Sequence, residues 1–271
     1  MVLEVAKEML NELNDVDQIN RMIYDIWFEY FEPLKSPLPG FISPLKKDTL
    51  LVLGFNPSFN PGGYKNQLLN CDNIEIRELA DVEKFQRFMK QSDVLQPLTE
   101  EEIIQVIEKV ISIDKCIEKN GHKYINKLEE YVLTPLGLEK DSVMFWDLFS
   151  FRCNKQRDLK DYLSVTENQV QKWTQLLIAL RVIELCEPKM IILPNSGGGD
   201  HLLEAMKHTK GVITFSEEYG THLLKYNNVN CPIFLSANLH STGQLDKYSR
   251  KRYTWHVNQI WTEVNQQAIL Y

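Results

Sequence analysis

The chain has 271 residues, 44% of them hydrophobic and 25% charged, with only twelve Gly and eleven Pro, which excludes a fibrous repeat or a disordered chain and suits one large domain. A net charge of −7 argues against a protein that coats nucleic acid indiscriminately, while leaving room for a local basic patch. No apolar run approaches the ~20 residues needed to cross a bilayer.

Residues 2–32 carry apolar positions at helical spacing (Val5, Met9, Leu10, then Ile19, Met22, Ile23, Ile26), so N-terminal helices are expected over about 1–35. The opening MVLEVAKEMLNEL is broken by acidic residues and does not read as a secretory signal. The prolines between Phe31 and Gly40 stop the helical pattern. Asp48–Phe55 (DTLLVLGF) is a short apolar run typical of a strand buried on both faces. Residues 72–140 are charged and amphipathic, and Thr99 with Glu102 forms a capping-box pair before Ile103, Ile107 and Val110; this stretch reads as a helical insertion. Val143–Phe149 (VMFWDLF) is a second strand. Thr166 and Gln169 suggest another capping box, opening a helix through Trp173 and Ile183. Met190–Leu193 is a third strand, Gly197–Gly199 turns the chain into a short helix over 201–207, Val212–Phe215 is a minor strand, Pro232–Ser236 a fourth core strand, and a last helix starts near Asp246.

Apolar strands alternating with helices predict a single α/β domain over 1–271. The expected architecture is a three-layer α/β/α sandwich around a mostly parallel sheet of about four strands. The five cysteines (71, 116, 153, 186, 231) are widely spaced without a CxxC pair. The expectation is therefore a reducing cytoplasm, with no disulfide, structural zinc or iron–sulfur cluster.

Such sheets bind ligands at the carboxyl ends of their strands, so the following loops matter most. They read Gly54-Phe55-Asn56-Pro57-Ser58-Phe59-Asn60, Asp147-Leu148-Phe149-Ser150-Phe151-Arg152, Asn195-Ser196-Gly197-Gly198-Gly199-Asp200 and Asn238-Leu239-His240-Ser241-Thr242-Gly243. Each loop has a plain reading as a turn, a cap or a surface histidine; their gathering at one edge is what suggests a site. The glycine run is no dinucleotide fingerprint, because Leu202 stands where the third glycine would be. No Walker A lysine, HExxH or serine-elbow pattern occurs. Lys247, Arg250, Lys251 and Arg252 alternate with Tyr248 and Tyr253, which reads either as a solvated helix start or as a nucleic-acid contact.

Gly54-Phe55-Asn56-Pro57 after the first strand and Leu239-His240-Ser241-Thr242-Gly243 after the last resemble the G-x-N-P and His-Pro-Ser motifs of the uracil-DNA glycosylase superfamily, in its mismatch-specific and single-strand-selective branches. Residues 48–65, 142–152 and 170–255 align loosely with it. Two departures stand out: His240 is not followed by proline, and Asp147 stands where uracil-reading members carry Asn.

The resemblance implies hydrolysis of an N-glycosidic bond in single- or double-stranded DNA by a monomer without metal or cofactor. Asn56 would position water, and His240 would stabilise the negative charge of the leaving base. Phe55, Phe59 and Tyr64 would contact or stack on an extruded base, with Asp147 reading its edge. Ser58, Ser241 and Gly243 would hold phosphates and Leu245 would wedge into the gap. Lys247, Arg250 and Arg252 would touch the backbone. Ionised Asp147 disfavours the O4 carbonyl of uracil and suits a base edge bearing an amino group; alternatively it turns aside to pair with Arg152. The other readings are a catalytically silent nucleic-acid binder of the same fold and an enzyme acting on nucleosides or nucleotides.

Overall fold

The computed structural model describes residues 13–34, 39–57, 61–81, 98–119, 123–153, 156–236, 239 and 245–267. In chain order its elements are α1 (Val16–Leu34), β1 (Leu50–Gly54), α2 (Pro61–Leu69), α3 (Ile74–Glu78), α4 (Glu100–Lys119) and α5 (Lys123–Leu128). A π-helical turn (Glu129–Leu133) leads into α6 (Thr134–Leu136), β2 (Met144–Asp147), α7 (Gln156–Ser164), α8 (Gln169–Cys186), β3 (Met190–Leu193) and α9 (Ser196–His208). A hairpin-linked run of β4 (Val212–Ser216), β5 (Thr221–Tyr226) and β6 (Val229–Leu235) precedes α10 (Lys247–Gln267). The chain divides into two compact units: Met1–Ser43, Asn56–His122 and Phe149–Lys172 form the first, and Pro44–Phe55, Lys123–Leu148 and Trp173–Tyr271 the second.

The first unit is built of helices. Its long N-terminal helix differs from the expected one. Residues 1–12 of the expected helical stretch lie outside the described residues, 13–15 are not helical, and α1 begins at Val16, where Asp15 accepts the Gln18 amide at 2.9 Å while Gln18 accepts the Asn14 amide at 2.7 Å. It runs on to Leu34 with Pro33 in its final turn, where a missing amide costs one ladder bond. The expected capping box of α4 is present: the Thr99 amide and hydroxyl both donate to Glu102 (2.7 and 2.8 Å). Below it Ile103, Val106, Ile107, Val110 and Ile113 are buried. Before α8, Gln169 does not close a capping box with Thr166. Its amide donates instead to the carbonyls of Leu163 and Val165, across a 3-10 turn at Thr166–Asn168.

Cys71 and Cys116 form a disulfide, with Cα atoms 5.8 Å apart. This corrects the expectation of none. Tyr64, Leu68, Cys71, Ile76, Ala80 and Ile113 make one apolar cluster with Cys116 against it, so packing joins two cysteines 45 residues apart, a proximity that spacing in sequence does not reveal. Cys153, Cys186 and Cys231 are buried thiols, and burial pushes them up to about 11, 12 and 12.

The second unit holds a six-stranded mixed sheet in the order β2-β1-β3-β6-β5-β4, and the chain is an α/β protein. The four expected strands are its parallel half; β4 and β5 add an antiparallel half. One face of β1, β3 and β6, represented by Leu50, Val52, Met190, Ile192 and Phe234, packs with Leu128, Val132 and Leu133 and with Val257 and Ile260 of α10. On the other face, Gly198 of α9 sits so close to Leu193 and Leu148 that a Cβ there would lie 2.9 Å from Leu193 Cδ2. The glycine run is therefore the first turn of a helix, capped by Asn195, which accepts the Gly198 amide at 3.0 Å. Among the described residues no helix is long and apolar enough to cross a membrane.

Candidate functional site at the strand ends

The parallel strands of the second unit all end at one rim. There Gly54 of β1 is paired in register with Asp147 of β2, and the ladder continues one residue further, the Leu148 amide donating to the Gly54 carbonyl at 3.0 Å. A Cβ on Gly54 would collide with Asp147 Oδ1. Glycine at this position is thus what lets the carboxylate lie across the end of β1.

Alternation along β2 puts Asp147 on the same face as Phe145, which packs on the α10-side core together with Tyr124 and Tyr253. Burial raises the Tyr124 hydroxyl above the usual phenol range, and the charges of Asp147 and Tyr253 raise it further. Burial also raises Tyr253, against which Ser236, the residue after β6, acts by hydrogen bonding. Asp147, Tyr124, Tyr253 and Ser236 therefore form a polar cluster at this rim. Tyr124 and Ser236 gave no signal as site residues in the sequence, because α5 and the end of β6 read as ordinary elements. Tyr253 stood out only as an aromatic beside basic residues.

On the opposite face Phe55 is 4% exposed, its ring centroid 5.7 Å from that of His201. His201 Nδ1 lies 3.7 Å from Glu204 Oε2. This second histidine of the strand-end region was also not singled out by sequence. Its only signal is the Gly-Gly-Gly-Asp-His run that starts α9 after β3.

In the first unit the Asn56 side-chain amide donates to the carbonyls of Pro57 (3.0 Å) and Phe151 (3.5 Å). The nitrogen end is thereby held, and Oδ1 is the end left to accept. The Cys153 amide donates to the Pro57 carbonyl at 3.3 Å, tying this loop to the segment after β2. Arg152 is 5% exposed and grips both Asp114 carboxylate oxygens at 2.6 Å, with Nε donating to the Pro39 carbonyl at 3.3 Å. Burial raises the Asp114 carboxyl, and Arg152 opposes it. Tyr64, expected to stack on a base, is 5% exposed within the disulfide-linked apolar cluster, and its hydroxyl is raised by burial, with Arg152 acting against it. A ring held there has no open face for a base.

Ser58, Phe59, His240, Ser241 and Gly243 lie outside the described residues. Leu245, expected as a wedge, packs on the α10-side core. On α10, Lys247, Lys251 and Arg252 are exposed. Arg250 is 8% exposed and lies over the Tyr131 ring, 5.5 Å from its centroid, so the helix turns it away from solvent. The exposed side carries Tyr248 (70%) and Trp255 (65%), the latter unremarked in the sequence. Positions 247, 251 and 255, with 248 and 252, recur at four-residue spacing and share one side of the helix. Asp246 caps this helix, accepting the amides of Tyr248 (2.7 Å) and Ser249 (2.9 Å).

Among the described residues no group of three or more His, Cys, Asp or Glu side chains gathers to hold a metal ion. No family model matches the chain, and no curated protein matches it.

Proposed function

We propose that the chain is a DNA glycosylase-like hydrolase with the three-layer architecture of the uracil-DNA glycosylase superfamily, acting on a damaged or deaminated base taken out of the DNA stack. The observation that carries this reading is the Asn56 amide. Its nitrogen is engaged by two backbone carbonyls, which leaves the oxygen as the end that can accept from water, as a water-positioning group requires.

Cleavage through a sugar cation needs a held water rather than a strong base, and an amide oxygen meets that need. His240 donates to the departing base and offsets its negative charge, an interaction worth several kcal/mol when water is excluded. The Asp147 carboxyl group accepts from an amino group or ring N–H of the base. Phe59 supplies the stacking surface, a role that the burial of Tyr64 leaves to it. Backbone amides of Ser58, Ser241 and Gly243 hold phosphates, and the basic and aromatic side of α10 (Lys247, Tyr248, Lys251, Arg252, Trp255) extends the contact along the strand.

The same side of α10 would serve a catalytically silent binder equally well, and that is the second reading. An oligonucleotide panel carrying uracil, hypoxanthine, xanthine and mismatches, read by alkaline strand scission, separates the two. The hydrolase cleaves at least one member, and Asn56→Ala abolishes that cleavage while DNA affinity is retained. Scission of none, with binding intact, leaves the silent binder.

A further inference from the structure

Two aromatic residues of α10, Tyr253 and Trp261, pack on the core, and two others face away from it. Tyr248 and Trp255 are 70% and 65% exposed, the most open large apolar side chains among the described residues. Tryptophan is on average a well-buried residue, so an outward pair of this kind suits a partner with flat apolar faces. The two stand seven residues apart, two helical turns, and lie nearly on one line along the helix at a separation of about 10 Å. Lys251 and Arg252, both exposed, are three or four residues from each ring, so both cations neighbour both aromatics. From Lys247 to Thr262 the sequence has no acidic residue, in a chain whose net charge is −7. The exposed positions further along, Gln259, Thr262 and Gln266, are polar.

We propose that this side of α10 docks single-stranded DNA, with one unpaired base stacked on Tyr248, another on Trp255, and the phosphates between them against Lys251 and Arg252. The inference rests on the hydrolase reading for DNA as the partner, and it adds the form in which the DNA is held. Single strands offer both a polyanionic backbone and open base faces. A duplex closes those faces in its own stack and presents only edges and phosphates. The distance between the rings is about three times the ~3.4 Å step of a stacked strand, so the two stacked bases are not adjacent nucleotides. A helix lying on a membrane separates its charged side from an apolar one. Here rings and cations share one side, and α10 exposes no large aliphatic side chain among its described residues.

Fluorescence anisotropy of a labelled, undamaged oligothymidylate, alone and in a duplex of the same length, tests this with the full chain. The wild type is expected to hold the single strand about tenfold more tightly than the duplex. Tyr248→Ala and Trp255→Ala should each weaken single-strand binding about tenfold, leaving duplex affinity, the salt slope and the melting temperature unchanged. Trp255→Phe keeps a ring and should retain most of the affinity, while losing the quenching of tryptophan fluorescence that the wild type shows on binding. Equal affinity for the two forms of DNA, alanine variants that bind like the wild type, or tighter binding of an oligouridylate would each overturn the proposal. So would capture by phosphatidylserine vesicles that Trp255→Ala abolishes. The oligothymidylate carries no damaged base, so the result is independent of strand scission. Scission of a damaged base with unaffected alanine variants sinks the docking surface and leaves the hydrolase standing, whereas stacking on both rings without scission of any base sustains the surface in a silent binder.

Discussion

Gly54 and Asp147 are register partners on adjacent parallel strands, and the carboxylate occupies the space a Cβ on residue 54 would need. The glycine is therefore a packing requirement of the aspartate. Gly54→Ala should cost about 1–3 kcal/mol by overpacking. Asp147→Ala in the same chain should relieve much of that loss, since the two sites share one volume. Urea unfolding of the four-member cycle measures the coupling, and additive effects would mean that the two side chains do not compete.

Arg152 anchors the first unit electrostatically. Arg152→Met should leave the Asp114 carboxylate, with a quarter of its surface exposed, without its bidentate partner, at a cost of ~3 kcal/mol. Adding Asp114→Leu removes the stranded charge, and the double variant should recover most of the stability. Chemical denaturation provides the comparison.

The two sides of α10 should respond differently. Lys251→Glu and Arg252→Glu should weaken DNA binding and lower the slope of log affinity against log salt by about one each, as expected for lost phosphate contacts. Arg250→Ala should instead reduce stability by ~0.5–2 kcal/mol through the lost stacking on Tyr131, leaving the salt slope unchanged. Fluorescence anisotropy at several salt concentrations, together with thermal melts, distinguishes the two effects.

Asp246 links the stability of α10 to pH. Hydrogen bonds from the Ser249 amide and hydroxyl, then the Tyr248 amide, hold its carboxyl below the usual carboxylate range. A depressed folded value means that this contribution is present above the unfolded carboxylate pKa and is lost as pH falls through the folded one. Asp246→Asn keeps the cap without the charge, so its melting temperature should fall less steeply with acid than that of the wild type. A side-chain carboxyl NMR titration should place Asp246 below free aspartate.

Much of the second unit was legible in the sequence. Apolar runs bounded by polar loops marked β1, β2, β3 and β6, because strands buried on both faces need nearly continuous apolar residues. β5 escaped notice because Thr221–Tyr226 mixes buried and exposed positions, and its ends depend on Gly220 and Asn227 in left-handed backbone. Legibility was poorer where function depends on proximity between distant residues. Asp147 and Tyr124 are neighbours only through the sheet and the helix packed on it, and Arg152 meets Asp114 through a helix fold that no periodicity encodes. Arg250 was misjudged for a related reason: a basic cluster in sequence says nothing of which member the helix turns inward.

The Cys71–Cys116 bond encloses a ring of the backbone that includes α3 and most of α4. A protease that cuts once between residues 72 and 115 therefore releases no fragment. The nicked protein migrates as an intact chain on a gel run without reductant and separates into two pieces only after thiol treatment.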